Sequence, residues 1–115
     1  MTSLADRLFA LSTAIRYVAT YDGHSLVMRS RPGLDAPSGA ESDRYEETIV
    51  NPTLLTLLTQ RGNIDCGGLE YVLIRYGQFF ALVIPAAEGH VTVGLEPTID
   101  PHPLIPMIRG AVAGR

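Results

Sequence analysis

The sequence predicts an α/β domain of the α+β type, with one five-stranded antiparallel sheet, helices around it, and the order α-β-β-α-β-β-β-α. Three observations carry this. Gly67 to Pro97 contains three strand-like runs, joined by turns far shorter than the dozen or so residues that a parallel crossover needs. Asp22-Gly23, a dipeptide favoured in hairpin turns, sits between two further short runs rich in β-formers. Leucines and isoleucines recur at helical spacing before, between and after these blocks.

Taken in chain order, Ser3 is the expected cap of a first helix running to about Ala14, with Asp6 three positions on and Leu4, Leu8, Leu11 and Ile15 on one stripe. Tyr17 to Tyr21 and Ser25 to Arg29 form the first hairpin, turning at Asp22-Gly23. Arg31 to Ala40 has the composition of an exposed loop. Helix returns over Glu41 to Gly62, with a break expected near Val50, because Asn51-Pro52 reads as a fresh cap and first-turn pair and Pro52 lacks an N–H. Leu54, Leu55, Leu57 and Leu58 give its second part a broad apolar surface, and Gly62 is expected to stop it. The meander follows as Leu69 to Tyr76, Phe79 to Ile84 and His90 to Leu95. A last helix runs from a cap at Asp100 to about Val112; Pro106 either perturbs it or marks a later start.

Composition narrows the function. A chain of 115 residues without a dividing linker is expected to be one domain, residues 1–115. A single cysteine, Cys66, excludes an internal disulfide and points to a reducing, cytoplasmic setting. No charged N-terminal region precedes an apolar run, and no apolar stretch is long enough to span a membrane. The formal net charge is -3, and all nine basic residues are arginines spread along the chain, so no clustered basic face is available for nucleic acid.

The element order, the Asp22-Gly23 hairpin, the leucine-rich helix leading through Gly62 into Gly67-Gly68, and the meander followed by a last helix together resemble the roadblock / dynein light chain family. The resemblance spans nearly the whole chain. It implies a profilin-like sandwich in which the sheet carries the middle helix on one face and the two terminal helices on the other. It further implies a non-enzymatic protein that forms homodimers or heterodimers through the middle helix and the first strand of the meander, and that binds or regulates small Ras-like GTPases or acts as an adaptor. The sequence departs from the family at Asn51-Pro52 and in its proline-rich last helix.

No enzyme motif competes with this. His24, His90 and His102 are far apart and are expected to be exposed polar residues, so neither a catalytic constellation nor a metal site is expected. Cys66 is expected to behave as a small buried hydrophobe. Gly62, Gly67 and Gly68 superficially resemble a phosphate-cradling loop, but they join a helix to a strand, the reverse of the order such a loop requires. No cofactor is expected. The aromatics Tyr17, Tyr71, Tyr76, Phe79 and Phe80 read as core or interface residues.

The expected homodimer interface comprises Leu54, Leu55, Leu57 and Leu58 of the helix with Leu69, Tyr71, Val72, Leu73, Ile74 and Tyr76 of the edge strand. Leu69, Tyr71 and Leu73 lie on one face of that strand and Val72, Ile74 and Tyr76 on the other. Both faces are apolar, and neither lysine nor proline discourages edge pairing. Arg61, beside the following loop, is a candidate contact for a GTP-hydrolysing partner; its plainer reading is a cation opposing the negative end of the helix dipole. The competing function is a small-molecule sensor of PAS/GAF-like architecture, which would need a pocket between sheet and helix.

Overall fold

The computed structural model describes residues 2–34 and 39–114. Its elements are α1 (Leu4–Phe9), β1 (Ile15–Tyr21), β2 (Leu26–Ser30), α2 (Ala40–Tyr45), a π-helical turn (Glu46–Val50), α3 (Asn51–Asp65), β3 (Val72–Arg75), β4 (Phe80–Ala86), β5 (Gly89–Leu95) and α4 (Leu104–Ala113). The strands form one sheet in the order β2-β1-β5-β4-β3, with every neighbouring pair antiparallel. The expected five-stranded fold is therefore present, with β1 joined to β5 at the centre and β2 and β3 at the edges.

The elements start and stop for local reasons. Ser3 caps α1 as its hydroxyl accepts the Asp6 N–H at 3.1 Å, but the helix ends at Phe9 rather than near Ala14. The Ser12 hydroxyl takes the Ala14 N–H, while the Arg31 guanidinium takes the carbonyls of Phe9, Ser12 and Ile15, so the chain turns early into β1. The first hairpin turns over four residues, not two: Asp22 Oδ1 accepts the His24 and Ser25 N–H groups at 2.8 and 2.7 Å, and Tyr21 pairs with Leu26. Residues 35–38 of the expected Arg31–Ala40 loop lie outside the described residues.

The middle helix does not break at Asn51-Pro52. It runs without a gap from α2 through the π turn into α3, and the Asn51 N–H donates to the Glu46 carbonyl across the widened turn. Pro52 follows at once; its ring would crowd the Thr48 carbonyl in a regular helix, and a wider turn relieves that contact. Asn51 caps nothing, because its side chain is fully buried. Gly62 does not end α3 either. A Cβ at Gly62 would lie 3.0 Å from the Gly68 backbone, so its bare surface lets the following segment cross the helix. The left-handed positions are Gly67 and Gly68, with φ of 81° and 93°.

Two further expectations shift. The first meander strand is confined to Val72–Arg75, so Leu69, Tyr71 and Tyr76 flank it. In α4 the regular helix starts at Leu104, and Pro106 falls in its first turn, where no N–H is needed. Asp100 instead caps the preceding turn through the His102 N–H at 3.1 Å.

The two faces of the sheet are unlike. Leu8, Ile15, Val18, Leu82, Ile84, Val91, Val93, Leu95, Ile105, Ile108 and Val112 form one buried apolar core between the sheet and the terminal helices α1 and α4. Alternate positions on the opposite face carry Tyr17, Ala19, Ala81, Val83, His90 and Thr92, and here the middle helix docks.

Candidate interaction surface

The middle helix is held to the sheet by a buried polar cluster. Glu47 Oε1 lies 2.8 Å from His90 Nε2 and accepts the Thr92 hydroxyl at 2.5 Å and the Asn51 amide at 3.1 Å. The Asn51 amide also donates to Thr92 Oγ1 at 3.2 Å, and the Tyr17 hydroxyl lies 3.5 Å from Glu47 Oε2. Glu47 and Asn51 are four residues apart and face the sheet together, while His90 and Thr92 are two apart on one face of β5. His90 is 2 % exposed, which corrects its reading as an exposed polar residue: β5 is central in the sheet, and its inward side is covered by the helix.

Tyr17 is fixed from two further sides. Phe79 meets its ring edge-on at 5.9 Å, and Gly94, its partner on β5, leaves room for the ring. Burial pushes the Tyr17 hydroxyl far above its ordinary pKa, and the negative charges of Glu47, Glu46 and Asp43 add to the rise.

Away from the sheet, the middle helix presents apolar residues to solvent. Leu57 is 60 % exposed and Ile64 76 %, and Ile49 and Leu58 are also exposed. Leu57, Arg61 and Ile64 recur at i, i+4 and i+7 and so share a stripe. Of the residues expected at an interface, Leu54 and Leu55 are half-buried; Leu69, Val72, Leu73, Ile74 and Tyr76 are half-buried; and Tyr71 is exposed. Val72, Leu73 and Ile74 lie in β3, an edge strand that pairs, among the described residues, with β4 alone. Leu73 reaches the apolar core on the α4 side.

Arg61 pairs with Asp65 at 2.7 Å and also donates to Cys66 Sγ at 3.3 Å. The Arg61 guanidinium holds the Asp65 carboxyl below its ordinary pKa, with a smaller contribution from Cys66. Cys66 is exposed, not buried as its usual packing preference suggests, because α3 ends beside it. His24 and His102 are exposed as expected, and His102 sits 2.8 Å from Asp100. Among the described residues, no group of three or more His, Cys, Asp or Glu side chains could hold a metal ion, and no helix is long and apolar enough to cross a membrane.

The sequence pointed to the exposed leucines and the β3 edge but missed the Glu47 cluster. The signal was there: a carboxylate and an amide at i and i+4, facing a histidine and a threonine at period two.

No protein-family model matches the sequence, and no curated protein matches it at a significant level. Among solved structures, the crystal structure of a Roadblock/LC7 domain from Streptomyces avermitilis superposes with a TM-score of 0.63 at 18 % identity, covering 96 % of this chain and 92 % of that one. With the helix order, the sheet order and the two unlike faces already described, that likeness shows that this chain has the Roadblock/LC7 fold.

Proposed function

We propose that this chain is a non-enzymatic interaction module that forms a homodimer and scaffolds or regulates a small Ras-like GTPase in the cytoplasm. The observation that carries the reading is the apolar stripe of Leu57 and Ile64, flanked by Ile49 and Leu58, on a helix whose opposite side is already committed to the sheet. Exposed apolar residues grouped in this way mark association surfaces.

The dimer joins Leu54, Leu55, Leu57 and Leu58 with Leu69, Tyr71, Val72, Leu73, Ile74 and Tyr76 of a second copy, and the open edge of β3 supplies backbone donors and acceptors. A four-residue strand offers few such bonds, so the helix contributes most of the buried area. Arg61, in the middle of the stripe, contacts the partner. Its existing bond to Asp65 is an exposed i,i+4 pair, a type worth only about 0.3–0.5 kcal/mol, and is readily exchanged for another carboxylate or phosphate. The GTPase assignment is supported by the fold likeness and by the family resemblance. Retention of GTP- or GDP-loaded Ras-like GTPases on the immobilised chain tests it, and no retention of any of them would sink it.

One observation favours the sensor reading. A cavity of about 910 Å³ opens between the first hairpin, the β4–β5 turn and the end of α4, and its lining includes apolar Ile84 and Val112 and charged Arg109 and Glu70. A metabolite retained by the purified chain in native mass spectrometry would place function there instead.

A further inference from the structure

A second, smaller cavity, of about 280 Å³, lies beside the N-terminal half of the middle helix. Four aromatic rings line it: Tyr17 from β1, Tyr45 from α2, and Tyr76 and Phe79 from the β3–β4 turn. Asp43 and Glu46 supply carboxylates. Three of the rings are braced through Phe79, which lies 5.9 Å from Tyr17 and 5.3 Å from Tyr76. The Tyr76 hydroxyl donates to Glu46 Oε1 at 2.5 Å, while Glu46 Oε2 is buried with no hydrogen-bond partner among the described residues.

Each feature favours a cation. Aromatic faces attract positive charge, and the attraction grows as water is excluded. A carboxylate oxygen left buried and unpartnered is costly, and a charge-assisted hydrogen bond would offset that. Three carboxylates, of Asp43, Glu46 and Glu47, crowd one stretch of helix, so an incoming positive charge relieves their mutual repulsion. Burial, opposed by the Tyr76 bond and reinforced by Glu47 and Asp43, already holds the Glu46 carboxyl above its ordinary range. The Tyr76 hydroxyl holds the other oxygen of the Glu46 carboxylate in place, so the unpartnered oxygen is the one left to accept a new donor. At about 280 Å³ the cavity lies at the small end of the range for ligand pockets, about 300 Å³ to about 1,000 Å³, a scale that suits a single side chain.

We propose that this aromatic, acidic pocket receives the guanidinium of an arginine presented by a separate protein partner. Arginine is favoured over lysine because its planar group stacks on rings and donates two parallel hydrogen bonds to one carboxylate. The site lies toward the opposite end of the middle helix from Arg61 and does not depend on two copies pairing.

The test is titration of the full-length chain with N-acetyl-arginine amide, followed by backbone amide NMR, with the uncharged isostere N-acetyl-citrulline amide as control. The arginine probe is expected to move signals of residues 42–50 and 76–79 with a dissociation constant of roughly millimolar order, and the citrulline probe to bind at least about tenfold more weakly. Glu46→Gln should weaken arginine binding about fivefold or more, and Tyr45→Ala, at a largely exposed position that folding tolerates, about threefold. Equal binding of the two probes, unchanged binding in both variants, or shifts confined to other residues would overturn the proposal. Binding seen only after dilution to monomer would show that a second copy fills the pocket, and would overturn assignment to a separate partner. Failure of the GTPase experiment leaves these outcomes unaffected, since no GTPase is present in the titration.

Discussion

Glu47 on the π-helical turn and His90 on the central strand β5 meet at 2.8 Å with both side chains buried, and this contact anchors the middle helix to the sheet. The partners around the carboxylate also include the Thr92 hydroxyl, the Asn51 amide and the Tyr17 hydroxyl. Glu47→Ala leaves these polar groups buried without their acceptor, and should lower the unfolding free energy by about 2–4 kcal/mol. Glu47→Gln keeps one acceptor and should lose less. Urea unfolding with an unchanged m-value reads both; a Glu47→Ala midpoint equal to wild type would show that the cluster does not anchor the helix.

Tyr17 and Gly94 test the same face from the side of the sheet. A Cβ at Gly94 would lie 2.3 Å from two carbons of the Tyr17 ring, which Phe79 keeps from moving aside. Gly94→Ala should therefore destabilise by about 1–3 kcal/mol, the usual effect of overpacking. In a Tyr17→Ala background most of that loss should vanish. A double-mutant cycle with coupling near zero would mean that the ring is free to move.

The fold was legible where local chemistry and tertiary packing agree. The Ser3 cap, the β4–β5 hairpin and the sheet as a whole follow from turn residues and period-two patterning. The first meander strand was overestimated because its residues all favour β structure, whereas α4 draws its start away: Arg109 pairs with Glu70 at 2.8 Å and stacks over the Tyr71 ring at 5.2 Å. A contact between residues 39 positions apart leaves no trace in a local pattern. The same holds for Asn51, whose position before Pro52 imitates a helix cap while its side chain serves the Glu47 cluster. Exposed leucines were legible as an apolar surface, yet which of them face solvent was set by the phase of the helix on the sheet.

The proposed dimer predicts where charge is harmful. Leu57→Glu and Ile64→Glu add a carboxylate to an exposed stripe, so each should leave the chain folded, with circular dichroism like wild type, while reducing the mass from two chains to one in light scattering at micromolar concentration. Ile74→Asp, on the edge strand, should act in the same direction but also lower stability, since that side chain is half-buried. Wild type that runs as a monomer at this concentration, or variants that remain dimeric, would refute the interface.

Acid should loosen the first hairpin. The Asp22 carboxyl titrates below its ordinary value, chiefly because it accepts the Ser25 N–H and then the His24 N–H. A depressed folded-state pKa gives stability that is present above the unfolded value of 3.8 and is lost as pH falls through the folded one. Asp22→Asn, which retains an acceptor oxygen but cannot titrate, should flatten the decline in melting temperature between about pH 5 and about pH 2. An unchanged slope would place the acid sensitivity elsewhere.

Glu46 should show the opposite sign. Burial raises its pKa above the ordinary 4.5, the Tyr76 hydroxyl opposes the rise, and the nearby charges of Glu47 and Asp43 increase it. A raised carboxyl pKa means that the folded chain holds the proton more tightly, so the stabilising contribution is complete below 4.5 and is lost as pH climbs through the folded value. Glu46→Gln removes that loss. The difference in melting temperature between Glu46→Gln and wild type should therefore grow in favour of the variant from about pH 4 to about pH 8. Tyr76→Phe deletes a hydrogen bond that favours the ionised form, so the loss should extend to higher pH in that variant. If the Glu46→Gln and wild-type curves stay parallel across this range, the Glu46 carboxyl titrates alike in the folded and unfolded chain, and burial in this pocket does not favour its protonated form.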